Sequence, residues 1–278
     1  MGYLVLAIAC SALISIIMRI SEKYIQNEMG MFMANYALCI LLSLVYMNGG
    51  PVFPTEGLPA TFGLGFVNGI LFLAGFLFLK LNMKYNGIVM ASTFMKLGVL
   101  IPTLMAIVVF GEMPRLTQVF GIFIAVLAIV LIHFEKDALQ ESNKKIWLLF
   151  LLLVSGITDS MANIFEQVGN AAAKDTYLFI TFIVAFLLAL LAAFKGKSKT
   201  SAKEVLFGVI IGVPNYYSAR FLLLALGSVD AVLAYPMYSV TTIVVITLVG
   251  ILAFREKVST KKMAALGMIA AAVVLLNV

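Results

Sequence analysis

Ten apolar runs, each bounded by charged or turn-forming residues, divide the chain from end to end. They read Gly2–Ile20, Gly30–Asn48, Ala60–Leu81, Asn86–Phe110, Leu116–Phe134, Ile146–Ile164, Thr176–Phe194, Glu204–Leu226, Asp230–Phe254 and Thr260–Asn277. Each is close to the roughly 20 apolar residues that carry an α-helix across a bilayer core. The pattern predicts an all-α membrane protein with ten transmembrane helices. The longest polar stretches between runs are Glu135–Lys145, Gly49–Pro59 and Lys195–Lys203. None is long enough to fold as a soluble domain, so any site must sit among the helices. The first run lacks the positive flank of a signal peptide and is too long for its apolar core, so it reads as the first span.

The polar positions recur. Shifting the chain by 144 residues lays the five spans of the first half on the five of the second without a gap. Glu22 falls on Glu166, Glu112 on Glu256, Phe110 on Phe254, Ser11 on Ser155 and Asn86 on Asp230. The last pair reads as two N-caps opening a span. An odd number of spans per half forces the halves to cross the membrane in opposite directions. This predicts two inverted five-helix repeats, residues 1–134 and 146–278, joined by a linker at 135–145. Inverted repeats are characteristic of secondary transporters, whose sites lie near the bilayer midplane. Gly65-x-x-x-Gly69 in the third span and Gly208-x-x-x-Gly212 in the eighth are suited to close helix contacts.

Polar residues inside spans are costly and are site candidates by default. Lys96 stands well inside the fourth span, where an isolated lysine costs about 3 kcal/mol on insertion scales. Ser155, Asp159, Asn163 and Glu166 form a stripe on one face of the sixth span. Ser11, Ser15, Arg19 and Glu22 repeat it in the first. Arg220 in the eighth span follows Tyr216 and Tyr217 by one turn. The ninth span adds Tyr235 and Tyr238 around Pro236, which removes a backbone donor within the membrane. Asn68 lies near the middle of the third span. Tyrosine rings beside a guanidinium suit a planar or carboxylated ligand. The bland alternative is a belt of interfacial tyrosines with a snorkelling arginine.

Composition narrows the classes. The chain is 63% hydrophobic and 12% charged, against roughly 25% charged in soluble domains. Its net charge of +6 need not imply nucleic acid, because basic residues gather in cytoplasmic loops of membrane proteins. Loops 1–2, 3–4, 5–6, 7–8 and 9–10 with their helix ends hold fifteen Lys and Arg, and the opposite side holds only Arg115 and Lys174. By this bias both termini lie outside a cell membrane. Cys10 and Cys39 sit in apolar runs, and His133 is the single histidine. No metal or cofactor cluster follows from them. The chain has no phosphate-binding G-x-x-x-x-G-K-[ST], no H-E-x-x-H and no G-x-S-x-G, so neither ATP hydrolysis nor catalysis is expected. A sensor or scaffold is disfavoured by the lack of any signalling domain. Oligomeric state is not set by the sequence, and a monomer is compatible with it.

The two five-span halves, with Phe110-Gly111-Glu112 and Phe254-Arg255-Glu256 closing the fourth and ninth spans, resemble the drug/metabolite transporter superfamily in its ten-helix EamA-like form. Gly121 follows Glu112 at the spacing of that pattern, whereas Ala265 stands at the matching place after Glu256. The pattern's prolines would fall at Val99 and Ile243, while this chain has Pro102 and Pro236. The resemblance implies a helical basket, a central cavity and alternating access.

The expected function is secondary transport of a small polar metabolite, an amino acid or small organic anion first. Lys96 and Arg220 would hold a carboxylate, and Asp159 an amine or proton. Asn163, Tyr216, Tyr217, Tyr235, Tyr238, Asn68 and Ser15 would line the site. Asp159, Glu166 and Glu22 are the carboxylates for proton coupling, with exchange as the other drive. The alternative is efflux of organic cations through a tyrosine cage, with Lys96 and Arg220 neutralised by Asp159 and Glu166.

Overall fold

The computed structural model describes residues 1–21, 23–47, 58–86, 91, 94–95, 97–133, 146–195, 200–254 and 260–277. Among these residues the chain forms ten α-helices and one short 3-10 turn. They are α1 (Gly2–Ser21), α2 (Glu28–Tyr46), α3 (Leu58–Asn86), α4 (Leu100–Val108), α5 (Leu116–His133), α6 (Ile146–Val168), α7 (Lys174–Lys195), α8 (Ala202–Leu226), α9 (Ala231–Phe254) and α10 (Thr260–Asn277). Seven are long and apolar enough to cross a bilayer; α5 and α10 are apolar over the shorter stretches Leu116–Leu131 and Ala264–Leu276. This is an all-α, multi-pass membrane protein. Exposed side chains such as Val45, Phe194 and Leu252 are apolar because lipid, not water, meets them.

Helix ends follow local chemistry. The Asn27 side chain caps α2 by accepting from Gly30 N–H at 3.1 Å. Ser201 opens α8 with a capping box: its hydroxyl accepts from Lys203 N–H, and Glu204 accepts from Ser201 N–H at 2.9 Å. The Glu204 carboxylate also receives Gln26 N–H at 2.9 Å and Asn27 N–H at 3.3 Å. One buried glutamate thus ties the α1–α2 turn to the start of α8. Gly111, at φ +70°, takes the left-handed turn after α4, letting Glu112 N–H close on the Ala106 carbonyl at 3.0 Å.

Two boundaries depart from expectation. Asn86 ends α3 and does not open the fourth span, because Asn82–Asn86 holds neither proline nor glycine and the helix continues through it. Asn82 secures this extension by donating to the Trp147 carbonyl of α6 at 2.8 Å. At α9 the cap is shared: the Asp230 carbonyl accepts Leu233 and Ala234 N–H, while Glu112 Oε2 accepts Val232 N–H at 2.7 Å.

The chain forms two compact units. The first comprises Met1–Leu73 and Ile164–Gly227, that is α1, α2, the start of α3, the end of α6, α7 and α8. Here α8 packs on α1 and α2, and α2 packs on α7. Gly208 and Gly212 of α8 lie against Met31, Ala34, Asn35 and Leu38 of α2, and Gly65 and Gly69 of α3 lie against Tyr177, Ile180, Thr181 and Val184 of α7. The 144-residue shift turns the α3–α7 contact into the α8–α2 contact, the exchange expected of inverted repeats. The second unit comprises Ala74–Asn163 and Ser228–Val278. In it α5 packs on α10 and α4 on α9, pairings that the same shift maps onto themselves. Each unit therefore draws on both halves of the sequence.

Candidate functional site

In the first unit α8 builds a polar-aromatic cluster. Tyr216 and Arg220 are one turn apart, so an Arg220 Nη1–H reaches the Tyr216 hydroxyl at 3.2 Å. The guanidinium also lies 4.0 Å from the centroid of the Tyr46 ring at the end of α2. Its charge is paired with Asp175 in the first turn of α7, where the helix dipole favours a carboxylate. The Tyr46 ring stacks on Tyr216 at 5.7 Å and meets Tyr217 edge-on at 6.1 Å, and the Tyr46 and Tyr217 hydroxyls lie 3.0 Å apart. Tyr216 is fully buried, Tyr217 and Arg220 are half-buried, and Tyr46 is exposed.

Beneath this cluster α2 and α8 share polar groups. Asn215 donates to Asn35 Oδ1 at 3.2 Å, and the Cys39 thiol lies 3.5 Å from the Gly212 carbonyl. Pro214, inside α8, lacks the N–H that would bond one turn back. Glu166 pairs with Lys174 at 2.7 Å, beside the turn into α7. Asn68 of α3 donates to the Tyr177 hydroxyl at 2.9 Å and faces Thr181 Oγ1 at 3.4 Å. Its Oδ1 is buried with no hydrogen-bond partner among the described residues, a situation that costs free energy unless something else donates to it. Ser15 of α1 turns its hydroxyl onto the Ser11 carbonyl at 3.2 Å.

In the second unit the α6 stripe meets α9. The Tyr235 hydroxyl donates to the Asp159 backbone carbonyl at 2.6 Å, while the Asp159 residue is exposed. Ser155 bonds the Leu151 carbonyl at 2.7 Å. Asn163 is buried, and its Nδ2 has no hydrogen-bond partner among the described residues. Tyr238 is half-buried, and its carbonyl accepts from Thr242 Oγ1 at 2.6 Å. Lys96 and Glu22 lie outside the described residues.

The structure thus gathers Arg220, Tyr216 and Tyr217 and adds Tyr46 and Asp175, which sequence reasoning missed. The one available signal for Asp175 was a carboxylate opening a span in a chain with an arginine inside the next span. Of the neutralising pairs expected for an organic-cation cage, Arg220 takes Asp175 and Glu166 takes Lys174, while the pairing of Lys96 lies outside the described residues. The reason is local, since Lys174 and Asp175 open α7 beside the end of α6 and the last turns of α8.

Ten helices in two inverted repeats, with half-buried ionic and aromatic groups on a proline-interrupted span, define a multi-pass membrane transport protein. The chain matches the sugar transport protein family over residues 4–278 and belongs to that family. It is a transport protein. This corrects the resemblance to the drug/metabolite transporter superfamily and its EamA-like form. Two five-span halves with a glutamate after the fourth and ninth spans mark an architecture, and Ala265, Val99 and Ile243 are where the EamA-like pattern already failed. An uncharacterised protein of Haemophilus influenzae is 24% identical, over 93% of this chain and 91% of its own. The uncharacterised membrane protein YvaE of Bacillus subtilis is 48% identical over 60 residues, which is 22% of this chain and half of that protein. A solved crystal structure shares the fold with a TM-score of 0.78 at 13% identity, covering 98% of this chain and 94% of that one.

Proposed function

We propose that this protein moves a small, uncharged, hydroxyl-rich solute of the sugar class across the cell membrane by alternating access. The carrying observation is that Arg220, the one described cation deep among these aromatic groups, already has its charge offset by Asp175. A carboxylated cargo needs that charge free. A polyol needs what surrounds it: phenol hydroxyls, amides and ring faces. Asn68 supplies a buried acceptor awaiting a donor. The family's description as sugar transport proteins supports the same cargo. The repeats 1–134 and 146–278 would rock to open the site on alternate sides, with both termini outside. Asp159 is the carboxylate proposed for proton coupling, and Glu166 takes that role only by releasing Lys174.

Thermal stabilisation of the detergent-purified protein across a metabolite panel tests this, because a ligand that binds the native state raises apparent stability. Neutral hexoses or pentoses should stabilise the wild type. Asn68→Leu should cut their uptake into proteoliposomes more than tenfold, while shifting stability by less than about 1 kcal/mol, since it removes an unsatisfied buried atom along with its bonds. Stabilisation by amino acids or organic acids that is lost in Lys96→Ala would restore the anion reading. Stabilisation by quaternary amines alone would establish efflux of organic cations.

A further inference from the structure

We infer that Asp175 is a specificity-determining residue: by neutralising Arg220 it makes the tyrosine cluster select neutral sugars against their acid derivatives. The inference rests on the sugar reading above and adds the group that sets the charge of the accepted cargo.

Arg220 is held from three directions, by the Tyr216 hydroxyl on its own helix, the Tyr46 ring from α2 and the Asp175 carboxylate from α7. The first two fix its position without changing its charge. Among the described residues, only Asp175 cancels the charge. Both ionic side chains keep some exposure, 19% for Arg220 and 26% for Asp175, so the pair is not sealed away from solutes. A guanidinium presents a planar fork of donors that matches a carboxylate in two-point contact. With Asp175 in place Nη1 of that fork faces a carboxylate, and an incoming sugar acid meets a negative charge that repels it. Without Asp175 the same fork, still aimed by Tyr216 and Tyr46, becomes a receptor for acids. Glu166 does not substitute, because Lys174 holds it. Asp175 is thus a filter built from a pairing, and the adjacent Lys174–Glu166 pair keeps the second carboxylate from competing for Arg220.

The experiment is solute counterflow in proteoliposomes with glucose, galactose and ribose, each set against glucuronate, galacturonate and ribonate. The wild type should favour the neutral member of a pair at least tenfold. Asp175→Asn, nearly the same shape, should lower that ratio at least tenfold by raising uptake of the acid. Asp175→Glu should restore the wild-type ratio. A purely structural role would slow both members alike and leave the ratio unmoved, which would overturn the inference. The double variant Asp175→Asn with Arg220→Gln keeps the test decisive should the single variant fold poorly: refusal of the acid supports the filter, and uptake of the acid overturns it. A wild type that carries no neutral sugar at all defeats the sugar reading itself. A wild type that carries sugars, with a ratio unchanged in Asp175→Asn, defeats only the filter.

Discussion

Glu204 shows how much one side chain can hold. It is 2% exposed and accepts backbone N–H groups from Gln26, Asn27 and Ser201. Charge-assisted hydrogen bonds are stronger than neutral ones, and orphaned buried donors carry the full cost of desolvation. Glu204→Ala should therefore lower unfolding stability in detergent by roughly 2–4 kcal/mol, cap loss included. Glu204→Gln, whose amide oxygen still accepts, should lose less. Equal stability of the alanine variant and the wild type would refute this account. Arg220 makes a different point at the same scale. Its link to Tyr216 was readable in the sequence, because residues four apart share a helix face. Its partner Asp175 was not, because that pairing depends on how α7 and α8 meet.

At the scale of helices, glycine decides which surfaces touch. A Cβ on Gly208 would meet the Met31 carbonyl and the Asn35 nitrogen, both backbone atoms of α2 that cannot turn aside. Gly208→Ala should force α2 and α8 apart and cost about 1–3 kcal/mol, the usual range for overpacking. Gly63→Ala is the control. Nothing lies within 4 Å of its Cβ position, so replacing a flexible residue in α3 should leave stability unchanged or raise it by up to about 1 kcal/mol. Thermal unfolding of the two variants side by side checks the contrast, and equal losses would mean that the contact at Gly208 does not govern helix spacing. The small-residue pairs were legible in the amino-acid sequence, because x-x-x spacing puts both glycines on one face. The end of α3 was not, because Asn82–Asn86 is locally compatible with a helix and only the Trp147 carbonyl shows which way the chain goes.

For the molecule as a whole, the division into repeats in sequence and the division into compact units in space are different partitions. The 144-residue register identified the repeats because polar interruptions of apolar runs survive as a pattern. It could not show that the first unit takes α1 and α2 from one half and α7 and α8 from the other. A definite expectation follows. Residues 1–134 and 146–278 produced as two separate polypeptides in one cell should assemble into a functional carrier, because individually stable helices associate within the bilayer after insertion. Either fragment alone should be inactive. Sugar uptake by cells making both, one or neither fragment provides the measurement, and activity from a single fragment would contradict the mixed composition of the units.

The same mixed composition sets a schedule for biogenesis. The first unit cannot close until the ribosome has delivered α8, which ends at Leu226, and the second waits for α10, which ends at Asn277. For most of its synthesis the nascent chain is a row of inserted but unpartnered helices. Gly208 and Gly212 arrive long after the surface of α2 they must fit, and the guanidinium of Arg220 reaches the membrane after Tyr46 and Asp175 are already there. A stop codon anywhere before the eighth helix would therefore leave not half a transporter but a chain with neither unit closed, exposed to the proteases that clear membrane proteins lacking their partners.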